Sequence, residues 1–192
     1  MGMDPSGARL PSLAPNETIA GRYRVQARLG RGGMGSIYRV RDERTGRVLA
    51  LKRMREDRRA NAVNAALLRA HFEREYHTLC QLAHPRIIEV YDYGFAGDEP
   101  YYMMELLDGE DLSERGQMAW KEACPVLCDV ASSLAILHSR RLLHRDISPR
   151  NVRLTADGRA KLIDFGAMST MGPLFMDQRC IASLGRTSRM SE

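Results

Sequence analysis

The stretch HRDISPRNVRLTADGRAKLIDFG, residues 144–166, is the part of the sequence that decides the fold. Within it, two short apolar segments at 152–154 and 160–163 flank the dipeptide Asp157-Gly158. Such a dipeptide is typical of the tight turn between two antiparallel strands. The sequence therefore predicts a short β-hairpin in the second half of the chain.

Three polar residues lie at the two ends of this predicted hairpin. Asp146 and Asn151 precede it in the pattern H-R-D-x-x-x-x-N, and Asp164 follows it in the pattern D-F-G. Phosphoryl transfer is catalysed largely by positioning and by neutralisation of charge, which takes metal-binding oxygens and one base. The two carboxylates and the amide are therefore candidates for such a site, although neither short pattern is specific by itself.

A glycine-rich stretch, GRGGMG at residues 30–35, lies between predicted strands at 23–29 and 36–42. Glycines let the backbone approach phosphate closely, because a side chain would collide with the oxygens. A strand follows this stretch, which excludes a dinucleotide-binding fold, where a helix would follow. A plain hairpin turn explains the glycines about equally well. The candidate phosphate contacts are Gly30, Gly32, Gly33 and Gly35.

A third predicted strand, residues 48–54, carries the segment LALK, which ends at Lys52. In the related pattern V-A-I-K, the strand lysine holds nucleotide phosphates and pairs with a glutamate of the following helix. The apolar periodicity predicts that helix over residues 60–82. Glu75 lies on the apolar face of the helix and is the predicted partner. Glu73, ~160° away around the helix axis, is the alternative.

The remaining periodic segments complete the expected fold. Further strands are predicted at 87–93 and 101–106, and a further helix at 120–138. The sequence thus predicts an α+β fold in which a five-stranded antiparallel sheet with one helix precedes a helical second half.

The order and spacing of these patterns resemble those of bacterial Hanks-type serine/threonine protein kinases, from Tyr23 to about Pro173. The resemblance implies a protein-kinase-like fold, with a five-stranded antiparallel N-lobe that contains one helix and with an incomplete helical C-lobe. The expected boundaries are a flexible leader at 1–22, the N-lobe and hinge at 23–107, a partial C-lobe at 108–173 and an unrecognised tail at 174–192.

The resemblance also implies an activity, the transfer of the γ-phosphate of ATP to serine or threonine hydroxyls of proteins. Asp146 would accept the proton of the substrate hydroxyl, and Lys52, paired with Glu75, would hold the α- and β-phosphates. Asn151 and Asp164 would each hold Mg²⁺. ATP, Mg²⁺ and a protein substrate are therefore the expected ligands and partners.

By the same resemblance, Ile37 and Ala50 would cover the adenine ring. Residues 105–107, from Glu105 to Leu107, would form the hinge that hydrogen-bonds adenine through its backbone. Asp111 is the candidate contact for the ribose. The other implied positions are a gatekeeper at Met104 and an apolar spine formed by Leu79, Val90, His144 and Phe165.

Two features depart from the family pattern. Ser148 stands where serine/threonine kinases usually carry a lysine, and Arg150 stands where tyrosine kinases place an arginine. These two residues leave open whether the substrate hydroxyl belongs to serine or threonine or to tyrosine. The overall likeness favours serine or threonine. Arg153 stands where most kinases have an apolar residue beneath adenine. Either Arg153 stacks on the base, or it turns to solvent and Leu154 forms the floor of the site.

The segment after the D-F-G pattern contains no A-P-E pattern, and no motif typical of the family is recognised in residues 174–192. This favours a frameshifted or prematurely ended reading frame over a short regulator. Two hypotheses follow: a serine/threonine protein kinase, and a truncated, inactive kinase fragment that at most binds ATP. A phosphotransferase acting on small molecules agrees less well with H-R-D-x-x-x-x-N followed by D-F-G.

Composition and net charge further restrict the classes of partner that the sequence predicts. No apolar run approaches the ~20 residues of a membrane span, and the N-terminus lacks the apolar core of a signal peptide, which predicts a cytoplasmic chain without a membrane partner. The net charge of +5 is spread along the chain, which indicates a solvated surface rather than a nucleic-acid-binding patch. Cys124 and Cys128 are four residues apart and are expected to be buried thiols rather than metal ligands.

Overall fold

The computed structural model describes residues 13–31, 35–54 and 62–171. The described residues confirm the predicted α+β class. A large antiparallel sheet with one helix packed on it is followed by a second part with two helices and two small sheets.

The large sheet contains six of the described strands. Their bounds are β1 Thr18–Ile19, β2 Tyr23–Arg31, β3 Gly35–Asp42, β4 Val48–Met54, β5 Val90–Ala96 and β6 Glu99–Met104. They are ordered β1-β2-β3-β4-β6-β5, and each neighbouring pair is antiparallel. Strands β2 to β6 are the five that the sequence predicts.

The two-residue strand β1 departs from the expectation of a flexible leader over residues 1–22. Ile19 pairs with Tyr23, and both Ile19 and Leu13 are buried in a core cluster on one side of the sheet. The described part of the predicted leader is therefore folded onto the sheet. Two isolated apolar residues carry no periodicity, which is why the sequence does not reveal this strand.

Strand β5 begins at Val90, three residues later than predicted. Ile87 and Ile88 instead contact the second half of the chain. Ile87 forms a parallel bridge with Leu162, and the backbone N–H of Ile88 donates to the Leu162 carbonyl at 3.0 Å. This connection ties the two halves of the chain together.

Helix α1 spans Ala62–Cys80 and packs on β5 and β6 through the buried side chains of Phe72 and Leu79. The predicted helix ran over 60–82. Residues 60 and 61 lie outside the described residues. At the other end the chain leaves the helix in a tight turn, in which the N–H of Leu82 donates to the Leu79 carbonyl at 3.0 Å.

The second part contains the remaining elements. They are β7 Glu110–Asp111, α2 Leu112–Arg115, α3 Trp120–Ser139, β8 Leu142–Leu143, a 3₁₀ helix Pro149–Asn151, β9 Val152–Leu154, β10 Ala160–Leu162 and β11 Ser169–Thr170. Strands β9 and β10 form the predicted hairpin, and Gly158 in its turn has a φ of +72°. Strand β7 adds to this hairpin beside β9, and β11 pairs with β8.

Helix α3 differs from the sequence expectation in what it buries. Cys124 and Cys128 are exposed, so the expectation that these thiols are buried is wrong. The buried positions of the helix include the polar residues Asp129 and Ser133. Cys124 and Cys128 share one face of the helix, because residues four apart do so. That face is exposed and differs from the face that carries Asp129 and Ser133.

Asp129 connects α3 to the hairpin. Its carboxylate accepts hydrogen bonds from the Arg159 guanidinium at 2.7 and 3.0 Å and from the backbone N–H of Ala160 at 2.9 Å, and Arg86 lies 3.2 Å away. The hydrogen bond from Arg159 outweighs burial and lowers the pKa of Asp129. The buried carboxylate thereby holds β10, which leads into the D-F-G segment.

Candidate active site

Lys52 and Glu75 lie at the centre of the candidate site. Lys52 Nζ donates to Glu75 Oε1 and Oε2 at 2.8 and 3.1 Å, and the two side chains are 8% and 1% exposed. The hydroxyl of Tyr102 donates to the same Oε1 at 3.1 Å. Glu73, the alternative partner, instead accepts a hydrogen bond from the Tyr93 hydroxyl at 3.1 Å. The structure thus brings Lys52 to Glu75 and not to Glu73.

Asp164 also contacts Lys52. Lys52 Nζ lies 3.3 Å from Asp164 Oδ1, which additionally accepts the backbone N–H of Gly166 at 3.2 Å. The N–H of Phe165 lies 3.4 Å from Glu75 Oε1. Strand β4, helix α1 and the D-F-G segment therefore meet at one lysine. The Asp164 side chain is 43% exposed, so its carboxylate is accessible from solvent.

The charges of Lys52 and Asp164 stabilise one another. Burial opposes the charged form of Lys52, but interactions with Tyr102, Glu75 and Asp164 outweigh it and raise the pKa of Lys52. Burial likewise opposes ionisation of Asp164, but the Lys52 charge and the Gly166 hydrogen bond lower its pKa below the ordinary value. Near neutral pH the group therefore holds one ammonium and a charged Asp164 carboxylate.

The loop between β8 and the 3₁₀ helix holds Asp146. Asn151 Nδ2 donates to the Asp146 carbonyl at 2.8 Å and to Asp146 Oδ2 at 2.9 Å. The backbone N–H of Asp146 lies 3.3 Å from His144 Nδ1, and the N–H of Ile163 donates to the Asn151 carbonyl at 3.0 Å. These bonds orient the Asp146 carboxylate and link it to the residue that precedes Asp164.

His144 links the Asp146 loop to the D-F-G segment. Its ring lies 4.9 Å from that of Phe165, at 62° between the planes, and it is 2% exposed. Leu79 and Val90 pack in the same core cluster as Phe165, so the four residues implied as a spine are near one another. Burial lowers the pKa of His144, which is therefore neutral near pH 7.

Replacing His144 by asparagine should reduce the loss of stability on acidification from pH 7.5 to 5.5. Because the folded-state pKa is lowered, the unfolded chain binds this proton first as the pH falls through ~6.5. The folded state then loses up to about 1.4 kcal/mol per pH unit until its own pKa is reached. Asparagine cannot titrate, yet its oxygen can accept the Asp146 N–H. Urea unfolding followed by circular dichroism measures the effect, and equal pH dependence in both proteins would contradict it.

The glycine-rich stretch is described only at its ends. Gly30 is the last residue but one of β2 and Gly35 is the first residue of β3, while Gly32 and Gly33 lie outside the described residues. A Cβ on Gly35 would lie 2.2 Å from the Arg53 carbonyl oxygen, so close approach of β4 by itself requires glycine there. A Cβ on Gly30 would meet nothing within 4 Å. Packing within the sheet therefore accounts for Gly35 and does not account for Gly30.

The proposed hinge follows β6. Met104 pairs with Ala50 across the β4–β6 ladder. The N–H of Glu105 donates to the Glu89 carbonyl at 2.9 Å, and its side chain accepts both the Glu89 N–H at 2.9 Å and the ammonium of Lys161. The backbone is thus fixed by its neighbours on both sides. Ile37, Leu106 and Leu107 are partly buried against the main core cluster.

Arg153 and Leu154 lie on opposite faces of β9, because side chains alternate along a strand. Arg153 pairs directly with Asp111 of β7, so the two share a face. Leu154 is buried on the other face, near Val126 and Pro125 of α3. Leu154 therefore lies on the face opposite Asp111, in the core cluster that also contains Ala50 and Met104, and its role as the floor of the site stays a prediction.

Tyr102 is a site residue that the sequence analysis missed. It lies opposite Lys52, as Met104 lies opposite Ala50. In an antiparallel pair, two steps forward on one strand match two steps back on the other. Once Ala50 and Met104 are assigned to one cleft, this rule is the signal that would have placed Tyr102 beside the lysine.

Comparison with known proteins agrees with this geometry. The family model described as "Protein kinase domain" matches residues 23–183. The serine/threonine-protein kinase pkn2 of Myxococcus xanthus is 35% identical over 168 residues, which cover 84% of this chain and 20% of that protein. The probable serine/threonine-protein kinase PknB of Lactococcus lactis is 32% identical over 165 residues, 83% of this chain and 26% of the relative.

The serine/threonine-protein kinase PknA of Mycobacterium tuberculosis is 34% identical over 158 residues, 78% of this chain and 36% of the relative. The chain thus spans between 20% and 36% of the length of these curated relatives. In the described part of the chain, none of the helices has both the length and the apolar character needed to cross a bilayer.

Proposed function

Because the chain belongs to the protein kinase domain family, we propose that its site binds ATP with Mg²⁺ and supports transfer of the γ-phosphate to a serine or threonine hydroxyl of a protein. The observation that carries this proposal is the contact of Lys52 with both Glu75 and Asp164. That contact joins three separate segments into one charged group facing the Asp146 loop.

Each residue in this group has a distinct task. Lys52 holds the phosphates, and Glu75 fixes its ammonium so that the cation cannot turn away. Asp146 accepts the proton of the attacking hydroxyl, since its carboxylate is exposed and oriented by Asn151 at 2.9 Å. Catalysis by such a site consists largely of positioning and charge stabilisation.

The residues present fit a magnesium ion shared with phosphate. Asn151 uses its amide nitrogen on Asp146, so its oxygen Oδ1 is the atom that would face a cation, and Asp164 offers a partly exposed carboxylate. Magnesium prefers oxygen ligands and usually keeps water and substrate phosphates among them. When bound, the ion would neutralise charge on the phosphates.

The adenine ring of the nucleotide is assigned to the hinge side of the cleft. We propose that the backbone of Glu105 and Leu107 hydrogen-bonds adenine, with Ile37 and Ala50 above the ring. Support comes from the ladder that places Ala50 opposite Met104 and from the two bonds that fix Glu105 on Glu89. A cytoplasmic location, where ATP is available, is part of the same proposal.

The proposal is tested by two assays on the 192-residue chain. Calorimetric titration with Mg·ADP and Mg·ATP should detect binding. Radiolabelled ATP should label a generic protein substrate in a manner that Asp146→Asn abolishes, with phosphoamino-acid analysis reporting serine, threonine or tyrosine. Absence of nucleotide binding would contradict the proposal. Binding without transfer dependent on Asp146 would support the alternative of an inactive nucleotide-binding fragment.

A further inference from the structure

Tyr102 is buried against helix α1, beside the ion pair of the candidate site. Its side chain is 1% exposed, and its ring centroid lies 5.1 Å from that of Phe72 and 5.9 Å from that of Tyr76, both on α1. Its hydroxyl donates to Glu75 Oε1 at 3.1 Å. Burial raises the pKa of Tyr102, so the hydroxyl keeps its proton near neutral pH. The side chain is therefore a fixed, neutral donor to the Glu75 carboxylate.

The ammonium of Lys52 has all three of its N–H donors engaged. Its Nζ contacts Glu75 Oε1 at 2.8 Å, Glu75 Oε2 at 3.1 Å and Asp164 Oδ1 at 3.3 Å. A lysine ammonium has three donors, so a phosphate oxygen that binds Lys52 must replace at least one of these contacts. A buried carboxylate oxygen that loses its donor without a replacement costs free energy, which would oppose the exchange.

The Tyr102 hydroxyl removes this penalty at one oxygen. Glu75 Oε1 accepts hydrogen bonds from both Lys52 and Tyr102. The two donors come from neighbouring strands, because Lys52 and Tyr102 lie opposite each other across the β4–β6 ladder. Oε1 therefore keeps a donor when the Lys52 N–H that it shares turns towards another acceptor.

From these contacts we infer that Tyr102 is a positioning residue for the nucleotide phosphates. Its hydroxyl satisfies Glu75 Oε1, so that Lys52 can exchange a hydrogen bond to Glu75 for one to a phosphate oxygen while Glu75 stays in place. Tyr102 acts through Glu75 and Lys52 and does not itself contact the nucleotide. The inference rests on the proposed binding of ATP, and it concerns the phosphates and not the adenine ring.

The test compares the Kd values of Mg·ADP and adenosine for the unchanged protein and for Tyr102→Phe. Calorimetry measures Mg·ADP directly and adenosine in competition with it. Phenylalanine keeps the ring on α1 and removes only the hydroxyl. Mg·ADP should bind about tenfold more weakly to the variant, the effect of losing one hydrogen bond to a charged group. Adenosine has no phosphate and should bind equally to both proteins, whereas a general loss of packing would weaken both ligands.

Tyr93→Phe is the matched control. Tyr93 pairs with Tyr102 on the neighbouring strand, and its hydroxyl donates at 3.1 Å to Glu73, the other glutamate of the same stretch of α1. Its loss should leave both Kd values unchanged. A second measurement tests the route through Glu75. Adding Tyr102→Phe to Glu75→Gln should weaken Mg·ADP binding by no more than about twofold, because two residues that act through one contact are not additive.

Unchanged Mg·ADP binding in Tyr102→Phe would overturn the inference, as would equal weakening of Mg·ADP and adenosine. A tenfold loss that persists in the Glu75→Gln background would also overturn it. If Tyr102→Phe does not fold, Tyr102→Met, which likewise lacks the hydroxyl, serves in the same comparison. If the unchanged protein binds Mg·ADP and only these comparisons fail, the role of Tyr102 is wrong and the proposed function stands. If it binds no nucleotide, the proposed function itself fails and this inference falls with it.

Discussion

Replacing Lys52 by methionine should abolish measurable binding of Mg·ADP and lower the free energy of unfolding by about 3–5 kcal/mol. The substitution removes the cation that would hold the phosphates. It also leaves Glu75, whose side chain is 1% exposed, as a buried carboxylate without its ammonium partner. Calorimetry measures the binding. Urea unfolding is followed by circular dichroism, because Trp120 is 71% exposed and its fluorescence would report little.

Two further variants separate the loss of binding from the loss of stability. Lys121→Met removes a lysine from an exposed position of α3 and should change neither property. Adding Glu75→Gln to Lys52→Met removes the stranded buried charge, so most of the stability should return while nucleotide binding stays absent. Nucleotide binding that survives Lys52→Met would show that the phosphate site lies elsewhere.

The sequence predicted those parts of the fold whose signal is local. The β9–β10 hairpin follows from apolar segments around an Asp-Gly turn, and α1 from its periodicity. The shift of β5 to start at Val90 depends on Ile87 bridging to Leu162, a contact 75 residues away along the chain that no local pattern contains. The sequence did not predict strand β1, because its two residues are held by their pairing with β2 and not by a strand propensity of their own.

The candidate site was predictable where backbone geometry alone fixes a partner. Glu75 was preferred over Glu73 because it lies on the apolar face of α1, and the structure brings Glu75 to Lys52. The orientation of Arg153 was not predictable. It depends on which way a long side chain turns and on the Gly109 carbonyl that receives it. Spacing determines the face on which a residue lies and does not determine where a flexible side chain ends.

Replacing Asp164 by asparagine should remove the dependence of nucleotide binding on Mg²⁺. In the unchanged protein we expect Mg²⁺ to strengthen ADP binding by about tenfold or more, because a carboxylate and an amide oxygen share the ion with the phosphates. Asparagine keeps the shape of Asp164 and can still accept the Gly166 N–H, but it lacks the charge that attracts the ion. Lys52 keeps its bonds to Glu75, so the free energy of unfolding should change by no more than about 1 kcal/mol.

The pH dependence distinguishes this carboxylate from a weaker or indirect ligand. The Lys52 charge and the Gly166 hydrogen bond outweigh burial and keep the pKa of Asp164 below its ordinary value, so it stays charged down to acid pH. The Mg²⁺ enhancement should therefore be the same at pH 8.5 and pH 7.5 in the unchanged protein, a range in which the terminal phosphate of ADP, with a pKa of about 6, also stays ionised. Titrations of ADP with and without Mg²⁺ at both pH values measure it, with Asp98→Asn in an exposed turn as the matched control. Enhancement that persists in Asp164→Asn, or that disappears at pH 7.5 in the unchanged protein, would place the metal on other residues.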